Sequence, residues 1–99
     1  LFPGEIDLIP EALELARDGI LPAGMYRNRH YAEAAVDPGS TELAVQDMLY
    51  DPQTSGGLLI AAAPEDAEAL LRELRGAVPS AQRIGVVEAY QGGPRISLR

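Results

Sequence analysis

The chain has 99 residues, 46% of them hydrophobic, which suits one small globular domain. Its formal net charge is −7 and its eight basic residues are all arginines, a balance that disfavours broad nucleic-acid binding. The longest apolar run, residues 58–63, is far shorter than the roughly 20 residues of a membrane-spanning helix. Cysteine is absent, which excludes disulfides, thiolate metal sites and a cysteine nucleophile within these residues.

The first half of the chain predicts one short strand, two helices and a long loop. Residues 5–9 alternate polar and apolar side chains, as a strand does, and residues 10–18 follow with a helix opened by proline and ended by glycine. Residues 20–39 show no sustained period and predict an irregular loop of a length that is often functional. Ser40 is the predicted N-cap of a helix that runs to about Tyr50.

The second half predicts three strands and the clearest helix. Residues 58–63 follow two glycines and predict a central strand that is buried on both faces. Residues 64–75 carry apolar side chains at helical spacing with acidic residues on the other face. Residues 83–89 and 94–99 flank a Gly-Gly turn and predict a β-hairpin. The expected fold is therefore an α/β sandwich, a mixed β-sheet packed against helices.

The segment that leads into the predicted central strand has the composition of an anion-binding turn. Gly56 and Gly57 can bring backbone N–H groups close to a phosphate, and Thr54 and Ser55 add hydroxyl donors. A purely structural interpretation also fits, since Thr, Ser and paired Gly are common where a chain bends into a sheet. The chain contains no lysine, so a self-contained P-loop is excluded.

Other polar residues fit either a ligand-binding role or an ordinary structural role. Arg27 and Arg29 have the chemistry to hold a phosphate, but solvated loop arginines explain them as well. The lone His30 is interpreted as an ordinary loop residue, and Asp47 and Asp51, one helical turn apart, as helix surface and turn opener. The sequence predicts no metal site.

Three segments resemble one enzyme family. Residues 51–59, Asp-Pro-Gln-Thr-Ser-Gly-Gly-Leu-Leu, closely resemble a string in the C-terminal domain of selenophosphate synthetases. Residues 19–28 are similar to the same family's Gly-x-x-Pro-x-Gly-x-x-x-Asn segment, and residues 84–98 are similar to its terminus. The resemblance covers most of the chain and is strongest at 51–59.

The resemblance implies a two-domain enzyme of the aminoimidazole-ribonucleotide-synthetase superfamily. Such an enzyme uses ATP and Mg²⁺ to make selenophosphate from selenide and water, releasing AMP and phosphate. It implies that catalytic and metal-binding residues lie in an N-terminal ATP-binding domain, so none is expected here. Residues 1–99 are then a partial C-terminal domain of a cytoplasmic, homodimeric parent, truncated at its start and inactive alone.

The resemblance also implies where the chain would meet the nucleotide. It would form one wall of the cleft between the two domains. The residues expected to line that cleft are Thr54, Ser55, Gly56, Gly57, Arg27 and Asn28.

Two alternatives remain open at the level of sequence. One is a noncatalytic α/β interaction or regulatory module whose acidic face docks a partner. The other is a different enzyme of the same superfamily, such as a hydrogenase-maturation protein, a thiamine-monophosphate kinase or a purine-pathway synthetase. A glycine-rich preceding sequence that contains a cysteine or selenocysteine and a nearby lysine would favour selenophosphate synthesis over both.

Overall fold

The computed structural model describes all 99 residues as a small domain of helices and short strands, compatible with the α/β class. The helices are α1 (Pro10–Arg17), α2 (Ala23–Ala32), α3 (Leu43–Leu49) and α4 (Pro64–Ala77), and the strands are β1 (Val36–Asp37) and β2 (Ile96–Ser97). Two 3-10 turns lie at Pro3–Glu5 and Glu33–Ala35. None of the helices combines the length and the apolar character needed to cross a membrane.

Helix α1 confirms the prediction for residues 10–18. Pro10 occupies the first helical position, where its missing N–H has no partner to lose, and Gly19 turns the chain at a φ of 77°. Helix α1 packs against α3, and each of the two helices buries an alanine, Ala16 and Ala44. Small side chains at these positions suit two closely approaching helices.

Helix α2 overturns the prediction of an irregular loop over 20–39. Its sequence is polar around most of the circumference, so no apolar period reveals it. Met25 nevertheless inserts from α2 into the core and is 1% exposed. Tertiary contacts rather than an amphipathic pattern therefore stabilise this helix.

Helix α3 confirms a helix before the Asp-Pro pair, but its predicted cap is wrong. The N-cap is Glu42 and not Ser40, and the Glu42 side chain makes no capping hydrogen bond. Instead, the Gln46 side-chain amide reaches back and donates to the Thr41 carbonyl at 2.7 Å. A side chain from inside the helix thus fixes the entry to α3.

The predicted C-terminal hairpin is wrong because another segment separates its two arms. Phe2 N donates to Ile84 O at 2.8 Å, and Arg99 N donates to Leu1 O at 3.0 Å. Strand β2 pairs in parallel with β1, with Val36 opposite Ile96. The structure contains a two-stranded parallel sheet, β1–β2, in place of the larger mixed sheet that was predicted. Pairing between segments distant in sequence leaves no local pattern to read.

Residues 58–63 and 5–9 also differ from the strands predicted for them. Neither segment forms a strand, and residues 52–62 make no backbone–backbone hydrogen bond. Leu58 and Leu59 are 90% and 78% exposed. A β-strand requires a neighbouring backbone to pair with, and residues 58–62 make no backbone hydrogen bond to any other segment.

Helix α4 confirms the prediction for 64–75 and extends it to Ala77. Its apolar stripe is half-buried, and α4 packs extensively against none of the other helices. Fully buried hydrophobic residues are few, namely Ala16, Met25, Ala44 and Leu98. The radius of gyration is 14.6 Å, above the roughly 13 Å of a compact 100-residue domain. The core therefore lies mainly among α1, α2 and α3.

Candidate functional site

The two sequence motifs, residues 19–28 and 51–59, lie side by side. Asn28 Nδ2 donates a hydrogen bond to the carbonyl oxygen of Tyr50 at 2.9 Å. One helical turn earlier, Gly24 faces Pro52 so closely that a Cβ there would stand 2.6 Å from Pro52 Cγ. Helix α2 therefore contacts the chain immediately before the Thr-Ser-Gly-Gly turn.

A second set of contacts joins α2 to the end of α3. The Arg29 guanidinium forms an ion pair with Asp47, which is 7% exposed, and lies 5.2 Å from the centroid of the Tyr50 ring. The ion pair and the cation–π contact hold the guanidinium against α3, and its buried Nε makes no hydrogen bond. Arg29 therefore has a structural role between α2 and α3.

The turn itself is open to solvent. Thr54, Ser55, Gly56 and Gly57 are all exposed, and neither hydroxyl makes a hydrogen bond. The Gln53 side chain folds over Gly56, where a Cβ would lie 2.7 Å from its Oε1. Unpaired hydroxyl and N–H groups next to glycines are the donors that an anion would use.

The Arg27 guanidinium is a cation near Pro52, at the start of the turn. Its Nη2 lies 3.7 Å from the point where a Gly24 Cβ would stand, and Pro52 Cγ lies 2.6 Å from that same point. The guanidinium therefore stands beside the start of the turn, and it forms no salt bridge. Arg27 thus places an unpaired cation near Pro52, two residues before Thr54.

An apolar groove of about 400 Å³ opens next to the turn. Its walls come from residues 7–9, α1, residues 20–22 and α3, and Asp51 and Gln53 also line it. No group of three or more His, Cys, Asp or Glu residues is placed to hold a metal ion. The site therefore offers donors and one cation, but no metal centre of its own.

Away from the turn, one ion pair shifts the pKa of both partners. Arg17 Nε and Nη2 donate to the two carboxylate oxygens of Glu42 at 2.8 and 3.0 Å. The hydrogen bond from Arg17 lowers the pKa of Glu42, and the same hydrogen bond raises the pKa of Arg17. The pair links the end of α1 to the N-cap of α3.

Known proteins similar to this chain share one name. The chain is 52% identical over 71 residues to "Selenide, water dikinase" from Clostridioides difficile (strain 630), a match that covers 71% of this chain and 20% of that protein. It is 38% identical over 94 residues to the protein of the same name from Desulfitobacterium hafniense (strain Y51), covering 95% and 28%. This chain is homologous to part of the selenide, water dikinases.

The homology to selenide, water dikinases has a defined extent. The protein of that name from Citrifermentans bemidjiense (strain ATCC BAA-1014 / DSM 16622 / JCM 12645 / Bem) is 43% identical over 89 residues, covering 90% of this chain and 25% of the relative. The chain thus spans about a fifth to just over a quarter of the length of these dikinases. No protein-family model matches it, and no solved structure matches it.

The sequence predicted several site residues of this chain but missed the residues that they contact. Tyr50 and Pro52, which receive the contacts from α2, were not among the predicted site residues. One available signal was the spacing of Gly24 and Asn28, because residues four apart lie on one face of a helix. That signal requires residues 23–32 to be helical, which the polar composition of α2 conceals.

Proposed function

We propose that this chain is part of the C-terminal domain of an ATP-dependent selenide, water dikinase, which makes selenophosphate, AMP and phosphate from selenide, ATP and water. In this proposal it forms one wall of the nucleotide cleft, opposite an N-terminal ATP-binding domain, in a cytoplasmic homodimer. The observation that carries the proposal is the free Arg27 guanidinium beside the exposed Thr-Ser-Gly-Gly turn, in a homologue of dikinases.

The chemistry of the turn favours a phosphate group of ATP as its ligand. Phosphoryl transfer depends on positioning the phosphates and neutralising their charge. Thr54 and Ser55 hydroxyls and the Gly56 and Gly57 N–H groups supply hydrogen-bond donors, and Arg27 supplies the positive charge. In this proposal Asn28 lies in the same wall, behind the turn.

Magnesium does not fit a site built from these residues alone. Mg²⁺ is usually bound by one or two carboxylates together with substrate phosphates and several waters, and no group of three or more His, Cys, Asp or Glu residues is clustered in this chain. The proposal therefore assigns the Mg²⁺ ligands to other parts of the dikinase. It also assigns no catalytic residue to this chain, which we expect to be inactive alone.

The exposed apolar run supports a larger assembly. Residues 58–62 carry exposed leucines and make no backbone–backbone hydrogen bond, which is unfavourable for an isolated domain. In the proposed fold these residues form a strand of a mixed sheet of the aminoimidazole-ribonucleotide-synthetase type, completed by other parts of the dikinase. The same exposed run is what a noncatalytic docking module would present, and this is the second candidate function.

A segment exchange tests the proposal. The chimera replaces the homologous segment of the Desulfitobacterium hafniense dikinase with this chain, and AMP and selenophosphate formation are measured with selenide, ATP and Mg²⁺. We expect an active chimera and an inactive isolated chain. Thr54→Ala/Ser55→Ala in the chimera should raise the KM for ATP about tenfold to a hundredfold, the scale of lost hydrogen bonds to a charged group.

A matched control removes two exposed hydroxyls elsewhere. Ser40→Ala/Ser80→Ala should leave the KM for ATP unchanged, because both residues are exposed and make no hydrogen bond through the side chain. A folded chimera without activity would favour the docking module. If the chimera is active and its KM for ATP is unchanged by Thr54→Ala/Ser55→Ala, the turn does not bind ATP.

A further inference from the structure

Helix α2 contacts the chain at Tyr50 and Pro52, just before the turn. Asn28 donates to the Tyr50 carbonyl at 2.9 Å, and Gly24 leaves the space that Pro52 fills. Arg29, paired with Asp47, adds a contact to the Tyr50 ring. These contacts come from one face of one helix and converge on residues 50–52.

Little else positions the turn. Asp51 N donates to Met48 O at 3.2 Å, and beyond it residues 52–62 make no backbone–backbone hydrogen bond. The Thr54 and Ser55 side chains have no hydrogen-bond partner either. The hydrogen bonds that fix where the chain leaves α3 therefore lie at residues 50 and 51, and the turn itself adds none.

The backbone between the anchor and the turn has few soft torsions. Proline fixes its own φ near −65°, and it restricts the residue before it, Asp51, to extended conformations. A carbonyl held at Tyr50 therefore sets the position of Gln53 through only two intervening residues. A shift at Tyr50 is transmitted to Thr54 and Ser55 instead of being absorbed on the way.

We infer that Asn28 is a positioning residue for the phosphate-binding turn, acting through the Tyr50 carbonyl and Pro52 and not as a ligand. The inference rests on the proposed function of the turn. The only side-chain hydrogen bond that Asn28 makes is donated from Nδ2 to the Tyr50 carbonyl, which orients the amide towards the chain that leads into the turn. Arg27, whose guanidinium has no protein partner, is by contrast placed to meet the phosphate directly.

Substitutions at position 28 in the chimera test the inference. Asn28→Asp keeps the size of the side chain but turns an oxygen towards the Tyr50 carbonyl, which repels it. Asn28→Leu removes the donor without adding charge. We expect the KM for ATP to rise about tenfold in Asn28→Asp and about threefold in Asn28→Leu, the scale of one lost hydrogen bond, with the larger effect where repulsion is added.

A double-mutant cycle separates positioning from general stability. If Asn28 acts through the turn, Asn28→Asp should add almost nothing once Thr54→Ala/Ser55→Ala has removed the donors that it positions. A merely structural role would lower the amount of active protein, and hence the apparent kcat, but would leave the KM for ATP unchanged. Gln91→Glu, an exposed change that adds the same negative charge outside α2 and the turn, should leave the KM for ATP unchanged.

The outcomes distinguish the inference from the function on which it rests. Non-additive effects on the KM for ATP would support Asn28 as a positioning residue. A turn variant that raises this KM while Asn28→Asp and Asn28→Leu match Gln91→Glu would overturn the inference alone. Should the turn variant itself have no effect, the phosphate-binding turn fails, and the inference fails with it.

Discussion

Asn28 and Tyr50 are joined by a hydrogen bond from a side-chain amide in α2 to a main-chain carbonyl at the end of α3. The bond connects two motifs that the sequence alone presents as separate segments. Gly24 and Pro52 repeat the connection one helical turn away. A helix and the start of a turn thus form a single structural unit, and its contacts give direct predictions.

Gly24→Ala should destabilise the protein although alanine favours helices. The helical gain of at most about 1 kcal/mol is outweighed by overlap with Pro52, because overpacking typically costs about 1–3 kcal/mol. A net loss of about 1 kcal/mol in the free energy of unfolding is expected from urea titration. The control is Gly76→Ala in α4, where no atom lies within 4 Å of the new methyl group. That variant should be unchanged or more stable, and an equal gain at Gly24 would contradict the observed contact.

Arg29→Met should leave the Asp47 carboxylate buried without its partner. Breaking a fully buried pair costs about 3–5 kcal/mol, and partial exposure of the Arg29 side chain, at 23%, reduces the expected loss to about 2 kcal/mol. The double variant Arg29→Met/Asp47→Leu should recover at least half of this loss, because no charge then remains buried. Urea unfolding of the unmodified chain, both single variants (Arg29→Met and Asp47→Leu) and the double variant completes the cycle. Strictly additive losses would show that the pair is not coupled.

The structure accounts for which elements the sequence could predict. Helices α1 and α4 follow from proline, glycine and apolar spacing within a few residues, so local rules suffice. Helix α2 depends on Met25 packing and on bonds to α3, which no local pattern encodes. The β1–β2 pairing joins residues about sixty positions apart. Likewise, Thr54 and Ser55 could be named from composition, but their relation to Asn28 required the fold.

The Arg17–Glu42 pair should make stability depend on pH. The folded-state pKa of Glu42 lies below its usual value of 4.5, so its contribution is present above that value and is lost as the pH falls through the lowered pKa. Thermal midpoints measured from pH 7 down to pH 3 should therefore fall less in Glu42→Gln than in the unmodified chain. Glu68→Gln removes the same charge from a residue without a salt bridge and serves as control. Identical pH profiles for both variants would contradict a role for the pair.

Leu58→Ser/Leu59→Ser should barely change stability, within about 0.5 kcal/mol per site, since both side chains are exposed. Leu98→Ala, which truncates a buried side chain, should cost about 2–3 kcal/mol in the same urea titration. Binding of the dye ANS, which reports exposed apolar surface, should fall only in the first variant. Loss of folding on replacing Leu58 and Leu59 would mean that these residues pack in solution.

The contact between Gly24 and Pro52 has a consequence for how related sequences can vary. The two positions share one space, since the proline ring occupies the volume that any side chain at 24 would need. A larger residue at 24 is compatible with the same backbone only if position 52 carries something smaller than proline. The two positions should therefore covary in one direction: a residue larger than glycine at 24 should occur only where position 52 is smaller than proline.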